Sequence, residues 1–462
     1  MSKKSSTETR RRLVLCGHFL DGEQYARKRA VWLQDPKLKE VFDSCIVLER
    51  STRIKAFEQY PELQTWAKFE SCPNDLVRAK VSISSLTWCL VAVIFFLLKR
   101  KSTFRDIVTL EKLYCTGRKN GIAKIKSVIR GLCGMGKVYS SILRVGFKPS
   151  DCLVIWSEHG SGANMIKAVA KLKGSQILLA EYGEIPGTFF VSEKGMFHES
   201  WPSQNPDTFA KLEISKTDES LAYTAIQHVV RNSISTKLYT DEIELSDIGS
   251  GYDGVIYVNA VHDFMSGLTP RCSAFSHDYS PTFASNREIL DAVAQVAKRR
   301  NWLVLYKNHP NIFYGYSWAA VRHNNWGAHV RLLENVDIHT VLSASDVTIS
   351  LGSKSVFLSL ARGVPVLLLG PYSINSKTLR YGVVESNHIE QGIDTLLARK
   401  KGSRVDQANF VNFITRMLKF DLYNFDEHGG PWQRGPQRLY SDIRRLFANQ
   451  AETLTDIDTR NS

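Results

Sequence analysis

Short apolar runs separated by amphipathic stretches dominate this chain. The runs Arg12–Phe19, Ser44–Arg50, Gly254–Val261, Trp302–Lys307, Val330–Asp337, Val347–Ser350 and Val364–Gly370 are four to eight residues long and bounded by turn residues, as buried strands are. Between them, apolar residues recur three and four apart, as on the buried face of a helix. From Asp151 the order is clear. DCLVIW predicts a strand, ANMIKAVAKLKG a helix stopped by Gly174, and SQILLAEY a further strand. Strand, helix and strand in this order give a parallel pair. A second series begins near Tyr252, and Asn286 is placed to cap its helix NREILDAVAQVAKRR.

The expected fold class is α/β, with two Rossmann-like domains and a cleft between them. Residues 1–11 read as a disordered basic tail. Residues 12–240 form the first domain and 241–400 the second. Residues 401–462 read as a helical region that can cross back to the first domain. Residues 51–80 are polar and expected to be helical, and the stretch from Phe189 to Phe209 reads as a loop-rich excursion.

In parallel sheets, ligands sit beyond the carboxyl ends of the strands, so chemistry is sought there. Lys307, His309 and Pro310 follow one strand of the second series. A residue before proline is held extended, which aims the His309 ring away from the sheet. Ser350, Gly352, Ser353 and Ser355 form a small-residue turn between strand and helix, where backbone N–H groups and hydroxyls suit a phosphate. Lys377 and Arg380 are weaker phosphate candidates. Glu181, near the end of ILLAE, is a candidate general base or nucleophile, with Glu184 and Asp21 as further carboxylates. His18, Glu158 and His159 follow strands of the first series, and His262 and Asp263 follow the first strand of the second. These are acceptor or cleft candidates.

The totals change this picture in three places. Lys and Arg exceed Asp and Glu by 14, which favours anionic partners. No basic stripe interleaved with aromatics occurs, so nucleic acid is not expected. The eight cysteines include no CxxC pair and no zinc-like spacing, so buried reduced thiols are expected and no metal site. Leu86–Leu98 is apolar throughout but shorter than the roughly 20 residues a span needs. A buried helix or strand is the favoured reading and an interfacial anchor the minor one. No signal peptide is read at the N-terminus, where the apolar run is too short.

Three stretches carry a family resemblance: AEYGEIPGTFF (Ala180–Phe190), YKNHPN (Tyr306–Asn311) and SLGSKSVFLSLARGVPVLLLG (Ser350–Gly370). Over roughly residues 150–385 the chain resembles GT-B glycosyltransferases, nearest to the bacterial capsule polysaccharide synthesis group. That group is similar in layout to Kdo transferases and to sialyl- and polysialyltransferases that use CMP-sugars. The resemblance implies that Glu181 supplies catalysis from the first domain, that Lys307 and His309-Pro310 contact the nucleotide, and that the Ser-rich turn holds its phosphate. Relatives often have two adjacent carboxylates before the glycine, where this chain has Glu181-Tyr182-Gly183. Ser359 stands near the place of a ribose-binding Glu in many GT-B donor halves, which tilts the donor toward CMP.

The implied function is sugar transfer from a nucleotide donor, CMP-linked to Kdo or a sialic-type sugar, onto a glycan or glycolipid of the bacterial surface. No metal or other cofactor is implied. The expected place is the cytoplasm, at the inner face of the cell membrane, with peripheral contact to anionic lipid. Two alternatives stay open: polyol-phosphate transfer from a CDP-polyol, and a non-catalytic partner protein of capsule assembly.

Overall fold

A computed structural model describes residues 11–17, 36–49, 65–72, 81–116, 121–156, 161–183, 187–193, 200–231, 248–259, 285–307, 324–334, 336–350, 355–369, 383–385, 388–400 and 404–424, with a few single positions between. The chain builds two sheets, each with helices. The first holds β1 (Arg12–Gly17), β2 (Ser44–Glu49), β3 (Ala67–Ser71), β4 (Asp151–Trp156), β5 (Gln176–Tyr182), β6 (Thr188–Ser192) and β13 (Leu422–Asn424). The second holds β7 (Gly254–Asn259), β8 (Trp302–Lys307), β9 (Val330–Leu333), β10 (Val347–Ser350), β11 (Val366–Leu368) and β12 (Val383–Glu385).

The first sheet has the order β13-β6-β5-β4-β1-β2-β3, and the second β12-β11-β10-β7-β8-β9. All pairings in the second are parallel, as are those from β3 to β5 in the first. Both are doubly wound Rossmann-like sheets, whose later strands build outward on the opposite side of the first strand from the earlier ones. The fold class is therefore α/β.

Burial explains the apolar runs. All six residues of β4 and all six of β8 are buried, as parallel strands covered on both faces must be. At the start of β1, the Arg12 guanidinium grips the buried Asp151 carboxylate at 2.6 and 2.8 Å, which pins the amino edge. Helix Ser161–Leu172 covers the sheet after β4, and Gly174 closes it with φ of 73°. The β6 edge is extended by β13, antiparallel, with Leu422 opposite Phe190 and Asn424 opposite Thr188.

Several expectations change. The 51–80 region contains β3, an edge strand in which only Ala67 is buried, so it carries no apolar period to read. The Phe189 region opens with β6 instead of a loop, because its residues pair antiparallel with β5. Helix Asn286–Arg300 is capped by Ser285, whose hydroxyl accepts from Glu288 N at 3.2 Å, so Asn286 is the first helical residue. Residues beyond 401 include β13 as well as helix Arg404–Arg416.

Leu86–Leu98 lies in helix Ile83–Lys99, capped by Ser82. Among Leu86–Leu98 only Cys89, Ala92 and Phe96 are buried and most of the rest are exposed, so the expectation of a buried segment fails for most of its length. It crosses helix Gly121–Val145 at very short range. A Cβ on Gly136 would strike Ser85 O and lie 2.7 Å from Cys89 N, so glycine is what permits this crossing.

The two halves touch through helix Ser355–Ala361. Phe357 packs on Phe410 of the Arg404 helix with ring centroids 5.6 Å apart. Arg362, just past that helix, donates to Val230 O of helix Lys216–Arg231 at 3.1 Å and to His339 Nδ1 of helix Ile338–Ser343 at 2.9 Å.

Candidate functional site

The second sheet changes building direction between β7 and β10. A crevice beyond the strand ends at such a point is where open α/β sheets bind ligands. Three neighbouring strands end there in polar residues. Lys307 closes β8, Asn259 closes β7 opposite it in register, and Ser350 closes β10. The Ser350 hydroxyl donates to Asn259 Oδ1 at 3.1 Å and so bridges the switch point. Lys307 and Ser350 are buried and Asn259 is half-buried. A lysine placed below the surface at a strand end is costly to desolvate, which makes its position beside this polar pair informative.

Ser355 is buried at the start of its seven-residue helix. One turn on, Ser359 donates to Ser355 O at 2.8 Å and shares a hydrogen bond of 2.9 Å with Thr348 Oγ1. Ser359 is fully buried. Its hydroxyl therefore fastens the helix to β10.

In the first sheet, Glu181 stands one residue before the end of β5, opposite Phe190 of β6. It is half-buried, and its Oε1 accepts from Tyr182 N at 2.9 Å. The neighbouring Tyr182 ring meets Trp156 edge-on at 5.0 Å. Gly183 has a packing reason of its own. A Cβ there would strike Thr188 Oγ1 and lie 2.8 Å from Leu422 Cδ2, while its N–H donates to Thr188 O at 2.9 Å. The glycine of the Glu-Tyr-Gly element thus lets β6 and β13 close over the end of β5.

Of the residues singled out in the sequence, Lys307 and Ser350 share one sheet edge, with Ser355 after them in the chain, while Glu181 belongs to the other sheet. Asp21, His18, Glu158, His159, Glu184, His262, Asp263, His309, Pro310, Gly352, Ser353, Lys377 and Arg380 lie outside the described residues. Asn259 was missed. Its signal was a lone amide within an apolar run, and its meaning depends on strand order. Among the described residues, no group of three or more His, Cys, Asp or Glu side chains is arranged to hold a metal ion.

No family model matches the chain, and no curated protein does. Among solved structures it is similar to the Thermosulfurimonas dismutans KpsC beta Kdo 2,7 transferase, at 15% identity and a TM-score of 0.41, covering 67% of this chain and 89% of that one. The beta Kdo 2,4 transferase of the same protein is similar at 12% identity and a TM-score of 0.38, covering 56% and 78%. An alpha,alpha-trehalose 6-phosphate synthase from Burkholderia multivorans is similar at 10% identity and a TM-score of 0.40, covering 96% and 98%. Scores at this level carry no argument for chemistry, and the α/β assignment stands on the order and direction of this chain's own strands.

Proposed function

We propose that this chain is a GT-B glycosyltransferase that moves a sugar from a nucleotide donor to a glycan or glycolipid acceptor. The observation that carries the reading is the polar row Lys307, Asn259 and Ser350 at the switch point of the second sheet. A cation beside an amide and a hydroxyl suits an anionic, hydrogen-bonding ligand such as a nucleotide phosphate. His309 and Pro310 directly follow Lys307 in the chain, and Gly352 and Ser353 follow Ser350, so both loops issue from this row.

The donor in this reading is CMP-linked, with Kdo or a sialic-type sugar, and the product belongs to a bacterial surface polysaccharide such as a capsule. Glu181, at the end of β5, acts as general base. It takes the proton of an acceptor hydroxyl while that oxygen attacks the sugar and the nucleotide leaves with the bonding electrons. No metal or cofactor enters the reading. In this reading the enzyme works in the cytoplasm, at the inner face of the cell membrane, with a peripheral contact to anionic lipid.

The test is nucleotide binding followed by turnover. CMP is expected to raise the melting temperature more than UDP or GDP at equal concentration. His309→Ala should abolish that rise, and Glu181→Ala should keep it while removing transfer. Stabilisation by UDP or GDP and none by CMP would overturn the CMP assignment. Phosphorus in the product would move the reaction to polyol-phosphate transfer.

A further inference from the structure

Helix Ile83–Lys99 turns Cys89, Ala92 and Phe96 inward, yet its outward side is apolar too. Ile83, Leu86, Leu90, Ile94, Leu97 and Leu98 recur at three- and four-residue steps along that side, and all are exposed, Ile83 to 86% and Leu98 to 76%. A helix apolar all round is ordinarily buried all round. This one is not. The helix it crosses, Gly121–Val145, repeats the feature at its own start, where Ile122, Ile125 and Ile129 are exposed. Large exposed apolar surface of this kind marks an interaction site.

The charges say what covers it. Neither helix contains an Asp or Glu. Lys99 stands exposed at the end of the first, Lys101 and Arg105 stand exposed on the next helix, Lys101–Thr116, and Lys126 and Arg130 stand exposed on the second. A second copy docked face to face would bring these cations together, with no acidic side chain on helices Ile83–Lys99 or Gly121–Val145 to offset them and with Asp106 of the Lys101 helix buried. An anionic lipid surface offers both partners at once: acyl chains for the isoleucines and leucines, and negative headgroups for the Lys and Arg. The geometry fits lying on a membrane rather than crossing it. Seventeen residues make a helix of about 25 Å, shorter than a hydrocarbon core of about 30 Å. Among the described residues, no helix is long and apolar enough to span.

We propose that the outward faces of helices Ile83–Lys99 and Gly121–Val145 form a docking surface for an anionic bilayer, with the apolar stripe set into the interface and the flanking cations on the headgroups. This names the surface behind the peripheral contact of the transferase reading. It rests on exposure and charge alone, so vesicle binding and CMP binding can each fail without the other.

The experiment is co-sedimentation of the full chain with vesicles of phosphatidylcholine plus phosphatidylglycerol, and with vesicles of phosphatidylcholine alone. The wild type is expected to pellet with the anionic vesicles and to be released by added salt. Leu90→Asp/Ile94→Asp should weaken that partition about tenfold or more with an unchanged melting temperature, since both side chains already face water. Lys99→Glu/Lys101→Glu/Arg105→Glu should abolish it with the apolar stripe intact. Wild-type protein that stays in solution with both vesicles overturns the proposal, as does equal pelleting of the Asp double variant. Equal binding to neutral vesicles overturns the anionic part. A dimer in sedimentation velocity that the Asp double variant splits, without vesicle binding, assigns the surface to a second copy instead.

Discussion

Ser350 and Asn259 are joined by a hydrogen bond of 3.1 Å across β10 and β7, the two strands from which the second sheet grows in opposite directions. Replacing either partner removes this bridge. Asn259→Ala and Ser350→Ala are each expected to weaken nucleotide binding about tenfold, on the scale of the ~0.5–1.5 kcal/mol that one hydrogen bond contributes. Isothermal titration with CMP checks this. Unchanged affinity in both variants would remove this row from the ligand site.

Arg362 Nε donates to His339 Nδ1 at 2.9 Å, which requires that nitrogen to be unprotonated. Burial, and then the Arg362 charge, lower the His339 pKa, with Asp337 acting weakly the other way. The unfolded chain, with a histidine pKa of about 6.5, therefore binds a proton more readily than the folded one. Stability from this contact is present above pH about 6.5 and is lost as pH falls through the folded pKa. Melting temperature measured from pH 8 down to 5 should decline in the wild type, about this window. The decline should be shallower in His339→Gln.

Gly136 should tolerate no side chain. Gly136→Ala puts a methyl onto the backbone of Ser85 and Cys89, where no rotamer change relieves it. A loss of about 1–3 kcal/mol in urea unfolding is expected from overpacking of this kind. An equal substitution at Gly121, where a Cβ meets nothing within 4 Å, should be close to neutral or stabilising.

Cys16, Cys45, Cys72, Cys89, Cys133 and Cys152 are free and buried. Burial pushes the Cys72 thiol up to about 12, with Glu49 and Glu70 adding to it, and burial with Cys133 nearby pushes Cys89 up to about 11. Thiolate is the reactive form, so these should resist iodoacetamide at neutral pH and react on unfolding. Peptide mapping after brief labelling checks it, and rapid alkylation of Cys89 would show that the Ile83 helix opens in the native state.

How far the sequence could be read depended on how locally each feature is encoded. The strands β4 and β8 are buried on both faces, so each reads as an apolar run with a single charged residue at one end. Gly174 and Gly363 mark helix ends because their φ values of 73° and 74° suit glycine. β3 and β13 escaped notice for opposite reasons: β3 is an edge strand with mostly accessible side chains, and β13 is three residues long. The Ile83 helix misled because an all-apolar run has no period, so nothing in it separates the side facing Cys133 and Tyr139 from the side facing water. Lys307, Ser350 and Glu181 could be placed at strand ends. Asn259 could not be ranked before strand order showed that β7 borders the switch point.

The antiparallel pairing of β13 with β6 gives the molecule a sequence of assembly. The second sheet is encoded between these two strands, so a ribosome finishes it before it reaches Leu422. Until then β6 is a bare edge, with backbone groups open to pairing with a neighbouring nascent chain. The first sheet is thus begun first and completed last, and β13 serves as its cover strip.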